Sequence, residues 1–159
     1  MKSWGRRLRR LLAGGDRALQ VGAICRDPET GQVLMITSRG TGRWIIPKGW
    51  TMRDRSLAEA ALQEAWEEAG VRASEAREIG SYRYDKLPDD GEGPPIPVEV
   101  RSFLVPVLEL AEDFPEQGQR TRRWMPPSEA ATLVAEPELA ALLRSLDAPN
   151  LSDPPNPAT

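Results

Sequence analysis

The chain has 159 residues, 40% of them hydrophobic, which suits one domain with a sizeable core, and its net charge of −3 argues against a general affinity for nucleic acid. It contains no histidine. That excludes Ser-His-Asp and Cys-His catalysis and HExxH zinc sites, and leaves carboxylates, lysine, tyrosine or a metal to carry any chemistry. The lone Cys25 cannot close an intramolecular disulfide and sits in an apolar run, so a buried thiol is expected. No stretch approaches the ~20 apolar residues that span a bilayer, and the expected location is cytoplasmic.

Residues 1–17 form a basic N-terminal segment. Lys2, Arg6, Arg7, Arg9 and Arg10 precede the first acid, Asp16, and Trp4, Leu8, Leu11 and Leu12 fall at helical spacing. Three readings stay open: a basic amphipathic helix through which residues 1–12 touch a membrane or an acidic partner, a short helix docked on its own domain, or a frayed terminus. Leu19–Cys25 and Gln32–Thr37 are apolar and of strand length. The turn-rich Asp27-Pro28-Glu29-Thr30-Gly31 between them predicts a hairpin. A basic loop, 38–43, leads to a short strand, Trp44-Ile45-Ile46, ended by Pro47. Lys48-Gly49-Trp50 and the segment with Arg53, Asp54 and Arg55 then read as loop running into a helix.

That helix is predicted from Ser56 to Gly70. Ser56 and Glu59 match a capping box, which gives Glu59 a structural task, and Gly70 suits a left-handed stop. Downstream, Glu78–Tyr84 reads as a strand. Residues 86–97 form a Pro-, Gly- and Asp-rich loop beside a site, and 98–108 a long apolar strand whose Pro106 suggests an edge or a bulge. An acidic loop, 109–119, a basic strand, 120–125, and helices over 128–135 and 136–146 follow. Residues 147–159 are a Pro- and Asn-rich tail expected to be disordered.

The chemistry centres on the helix. Glu64, Glu67 and Glu68 stand at i, i+3 and i+4 on one face, while Ala58, Leu62, Ala65, Trp66 and Ala69 form the stripe expected to face the core. The acids lie in the C-terminal half, where the macrodipole disfavours negative charge, and no Lys or Arg at i±3 or i±4 within the helix offsets them. Two carboxylates ~6 Å apart repel by roughly 2–3 kcal/mol at an effective dielectric of about 20. Two readings follow, a solvated acidic face or a site for a divalent cation. An all-carboxylate site favours Mg²⁺ or Mn²⁺ over zinc.

The order strand, basic loop, strand, Gly-containing loop and Glu-rich helix closed by Gly resembles the Nudix hydrolase family. Its signature is G-x5-E-x7-R-E-U-x-E-E-x-G-U, with U aliphatic. Gly49 opens the match and Glu64-Ala65-Trp66-Glu67-Glu68-Ala69-Gly70-Val71 closes it. Two positions depart: Arg55 stands for the first signature Glu and Gln63 for the signature Arg. Arg43-Trp44-Ile45-Ile46-Pro47-Lys48-Gly49-Trp50, Glu112-Asp113-Phe114 and the stretch 120–130 look like the diphosphoinositol-polyphosphate phosphohydrolase branch.

The resemblance covers residues 18–146 and implies an α/β fold, a Nudix-type α/β/α sandwich with a mixed sheet. It implies Mg²⁺, with Mn²⁺ as an alternative, held by Glu64 and Glu68, with Glu67 as base or further ligand and Gly49 in the metal set. It places Arg39, Arg43 and Lys48 on the substrate. The implied activity is hydrolysis of diphosphate bonds in highly phosphorylated small molecules, such as diphosphoinositol or dinucleoside polyphosphates. Because Arg55 cannot bind metal and Gln63 makes only neutral hydrogen bonds, two further expectations stand. A fourth carboxylate comes from Glu112, Asp113 or Glu116. Alternatively, the chain is a catalytically weak or inactive module that binds a nucleotide or phosphate ligand. Arg53, Arg55, Arg120, Arg122 and Arg123 are candidates for a cationic rim, and Trp44 and Trp50 for base stacking or core packing.

Overall fold

A computed structural model describes residues 12–14, 17–88 and 91–147. The expected N-terminal helix over 1–11 and the tail over 148–159 lie outside the described residues. Leu12, assigned above to the helical stripe, instead belongs to strand β1 (Leu12–Gly14), which pairs antiparallel with β2 (Arg17–Arg26).

The predicted hairpin forms between β2 and β3 (Val33–Thr37), with Gly31 at φ 76° in its turn. β4 (Trp44–Ile45) pairs with β3. Lys48–Trp50, expected as loop, is strand β5, paired antiparallel with β2. Helix α1 (Leu57–Ala69) follows, then β6 (Val71–Arg72), β7 (Arg77–Lys86), β8 (Ile96–Pro106), β9 (Glu109–Leu110) and β10 (Arg122–Met125). The chain ends in α2 (Pro127–Leu133) and α3 (Pro137–Ser145), each started by a proline, whose missing N–H is not needed in a first turn.

The main sheet runs β10-β3-β2-β8-β7, with β6 and β9 forming a separate two-stranded sheet. β2 and β8 are parallel from Ala18↔Val98 to Arg26↔Pro106 and the other pairs are antiparallel, so the sheet is mixed. Both faces are covered, and the period of two along each strand sorts the core into two layers. Val21, Ala23, Cys25, Leu34, Ile36, Phe103 and Val105 pack with the alanines of α1. Ile24, Val33, Met35, Val98, Val100 and Leu104 pack with Ala130, Leu139 and Leu143 of the C-terminal helices. Two expectations need correction. Pro106 marks the last residue of a strand interior to the sheet rather than an edge, and the irregular register lies in β7, between Glu78 and Gly80.

The second correction concerns α1. Of the expected stripe, Ala65 and Ala69 are buried and Ala58 and Leu62 pack against the margin of the core, but Ala60, Ala61, Glu64 and Glu68 are buried as well and Trp66 is not in the core. Alanines let the helix lie close to the sheet, which carries the acids inward. Trp66 instead packs outside, with the Arg72 guanidinium 4.5 Å above its ring. The ends are as expected. The Glu59 N–H donates to Ser56 Oγ (3.1 Å) and the Ser56 N–H to Glu59 Oε1 (2.8 Å), and Gly70 closes the helix at φ 67°. Ser56→Ala removes the side-chain half of that box and is expected to lower stability by about 1 kcal/mol, read as a lower urea midpoint at unchanged m-value. An unchanged midpoint would show the cap to be dispensable.

Candidate active site

β5 runs beneath α1, held to β2 through the pairs Gln20↔Trp50, Val21↔Gly49 and Gly22↔Lys48. A Cβ at Gly49 would collide with the Glu64 carboxyl group, so any larger residue would make that carboxylate move from its place over the strand. One residue earlier, the Lys48 backbone N–H donates to Glu68 Oε1 at 3.1 Å. The strand therefore seats both acids from below, and both are buried.

Their electrostatics follow from that burial. The Glu64 carboxyl is pushed up to about 8, first by desolvation and then by Glu68, Glu67 and Glu116, with Arg120 opposing. Glu68 is raised to about 7 by desolvation, against the Arg120 charge and the Lys48 N–H and ammonium. Arg120 is a buried cation at this site, its side chain only 7% exposed. Its Nη2 lies 3.5 Å from Glu68 Oε2 and 3.1 Å from Glu116 Oε1, and its Nη1 donates to the Thr37 carbonyl at 3.1 Å. Among the described residues Glu64 accepts no hydrogen bond. Glu67, partly exposed, accepts one at Oε1 from Gln63 Nε2 (2.8 Å), so the residue at the signature Arg position does engage a signature Glu, by a neutral bond.

Of the late-loop acids, the fold brings only Glu116 to the site; Glu112 and Asp113 are exposed and do not line the cavity. No three carboxylates among the described residues form a ready ligand shell. Even so, two desolvated carboxylates with too little cationic charge, one over a bare glycine, are a donor set that a hard divalent ion fits.

Glu64, Gly49, Lys48, Arg39 and Arg43 line one open cavity of about 1130 Å³. Lys48 is half-buried, its Nζ 5.3 Å from the Tyr84 ring centroid, and its ammonium is pushed down by desolvation against the pull of Glu68 and Glu136. Arg43 Nη1 binds Glu136 Oε2 at 3.2 Å, and exposed Arg39 donates to Gln119 Oε1 at 2.9 Å. Other rim candidates go elsewhere. Arg53 and Arg55 are exposed outside the cavity lining. Arg122 donates to the Ala69 and Ala111 carbonyls, 3.0 Å each, with its guanidinium on Phe114. It thus supplies the positive charge that the C-terminus of α1 lacks in its own sequence. Arg123 pairs with Glu129 and lies over Trp44. Trp44 and Trp50 both pack against the core, and Trp50 also lines the cavity.

Gln20, Tyr84 and Glu136 are among the cavity residues that the sequence does not single out. Gln20 had a signal, being the polar residue inside an otherwise apolar strand. Glu136 had a fainter one, an acid directly before a helix-starting proline.

A family model described as NUDIX domain matches residues 16–146. The chain is 35% identical over 107 residues to "Nudix hydrolase 16, mitochondrial" of Arabidopsis thaliana, covering 67% of this chain and 59% of the relative. It is 28% identical over 112 residues to "Diphosphoinositol polyphosphate phosphohydrolase 3-alpha" of Homo sapiens, covering 69% and 63%. The matches span about half the length of the first curated relatives. Among solved structures, a NUDIX hydrolase from Nitrosomonas europaea aligns with TM-score 0.63 at 17% identity, over 82% of this chain and 88% of that one, a likeness of fold.

Proposed function

The chain belongs to the NUDIX family, and on that premise we propose that it is a Mg²⁺-dependent hydrolase of diphosphate bonds in highly phosphorylated small molecules. The observation that carries this is the pair Glu64 and Glu68, buried and raised toward neutrality on the floor of a cavity that Arg39, Lys48 and Arg120 also line. Glu64 and Glu68 would hold the ion. When bound, Mg²⁺ would lower the pKa of water and neutralise phosphate oxygens.

The remaining work belongs to the chain. The Lys48 N–H and Arg120 orient Glu68 from two sides. Gln63 fixes one oxygen of Glu67, leaving the other to take a proton from the attacking water. Arg39 and Lys48 draw the substrate's phosphates into the cavity, where positioning and electrostatics supply most of the acceleration in phosphoryl transfer. Diphosphoinositol and dinucleoside polyphosphates are the two candidate substrates.

The test is incubation with Mg²⁺ and a panel of both compound types, with phosphate products followed. Turnover that EDTA abolishes is the expected result. No turnover on any compound, with Mn²⁺ binding intact, would sink the hydrolase and leave the binding module that Arg55 and Gln63 motivate.

A further inference from the structure

The cavity wall holds a carboxylate that the proposed hydrolysis does not use. Glu136 occupies the N-cap position of α3, yet its side chain caps nothing. It turns into the wall instead and is 8% exposed. Its Oε2 accepts from Arg43, while its Oε1 is shut from solvent and has no hydrogen-bond donor among the described residues. A buried acceptor without a donor is unfavourable, and in a residue that lines a ligand cavity it is explained when a ligand brings the donor. The terminal torsion of a glutamate is soft, so either oxygen can turn to a ligand while the other keeps Arg43.

The neighbours narrow what the ligand group is. Gln20 is 3% exposed, and its carbonyl oxygen accepts from the Tyr84 hydroxyl at 2.8 Å, which leaves its amide N–H groups as donors. The wall thus offers an acceptor at Glu136 and a donor at Gln20, beside the rings of Trp50 and Tyr84, the latter under the Lys48 ammonium. Arg43, which the resemblance would place on a phosphate, is neutralised by Glu136 here. A phosphate seated at this wall would meet a carboxylate. A flat, uncharged group with adjacent donor and acceptor, such as the amino-bearing edge of adenine, meets complementary partners.

We propose that Glu136 is a specificity-determining residue that reserves this end of the cavity for the nucleobase of a nucleoside polyphosphate and rejects a densely phosphorylated ring. This deepens the hydrolase reading and, for its kinetic test, rests on it. The test compares kcat/KM for a dinucleoside tetraphosphate and a diphosphoinositol polyphosphate, with Mg²⁺, in the full chain and in Glu136→Gln and Glu136→Lys. The wild-type chain is expected to prefer the nucleotide. The preference should fall by about 10-fold in Glu136→Gln, where a neutral amide oxygen replaces a charged acceptor, and further in Glu136→Lys, where no acceptor remains. Because the ratio is taken within one preparation, a partly folded variant does not imitate the effect. A wild-type preference for the inositol compound, or a ratio unmoved in both variants, overturns the proposal.

Calorimetric titration with AMP and with inositol hexakisphosphate separates the two readings. AMP affinity that falls about 10-fold in Glu136→Gln supports the role of Glu136 even if nothing is hydrolysed. AMP binding that is absent, or insensitive to Glu136, refutes it even if the hydrolase reading holds.

Discussion

Glu64→Gln is expected to make the metal-free protein more stable above neutral pH while lowering its Mg²⁺-dependent turnover by at least about 10²-fold, since loss of an outer-shell partner alone weakens metal sites 10–100-fold and a ligand matters more. Both halves follow from one carboxyl. Burial, then repulsion from Glu68, Glu67 and Glu116, holds it up at about 8, against 4.5 for an unperturbed glutamate. Between those pH values the folded state keeps a proton that the unfolded chain has lost, so stability falls as pH rises through the window. Glu68, raised to about 7, adds in the same direction over the lower part of that range.

In EDTA, the melting temperature of the wild-type protein is therefore expected to decline from pH 5 to pH 8 and to recover with Mg²⁺. The Gln variant should show a shallower decline and little recovery. A metal-free melting curve that is flat across this range, or a Gln variant that melts lower at pH 8, would refute the electrostatic account of the site.

Glu67→Gln tests the base assignment and should leave stability alone. Glu67 is partly exposed, and its bond from Gln63 reaches only one of its oxygens. Changes at such positions usually stay within about 0.5 kcal/mol. Loss of a positioned general base lowers turnover by about 10²-fold or more. The expected result is a folded protein with near-normal Mn²⁺ binding and a kcat reduced on that scale at saturating metal. Near-wild-type turnover would remove Glu67 as the base. A parallel loss of Mn²⁺ binding would make it a ligand instead.

These two variants differ in a way that helical spacing alone did not reveal. Glu64, Glu67 and Glu68 share a face by sequence, but the fold buries the first and third and leaves Glu67 partly exposed beside Gln63. The expected core stripe missed this because α1 carries alanines on more than one side. Apolar periodicity cannot choose among stripes of small residues; the choice came from how closely the helix lies on the sheet. Lys48–Trp50 was read as loop for a related reason. A three-residue strand has almost no pattern of its own, and its pairing with β2 is a contact between segments far apart in the chain.

By itself, the sequence determined what depends on neighbours within a few residues: the Ser56–Glu59 cap, the Gly70 stop, the hairpin turn, the spacing of the three glutamates and the absence of histidine. Those features, with the signature they compose, sufficed to name the family and its fold. Tertiary structure alone decided which charges meet. Arg120 reaches Glu68 and Glu116, Arg122 closes the C-terminus of α1 at Ala69, Gly49 makes room for Glu64, and Glu136 takes Arg43. Most of these partners are dozens of residues apart in the chain. Their charges matter because burial removes the water that would otherwise screen them, and burial is a property of the packed sandwich rather than of any segment within it.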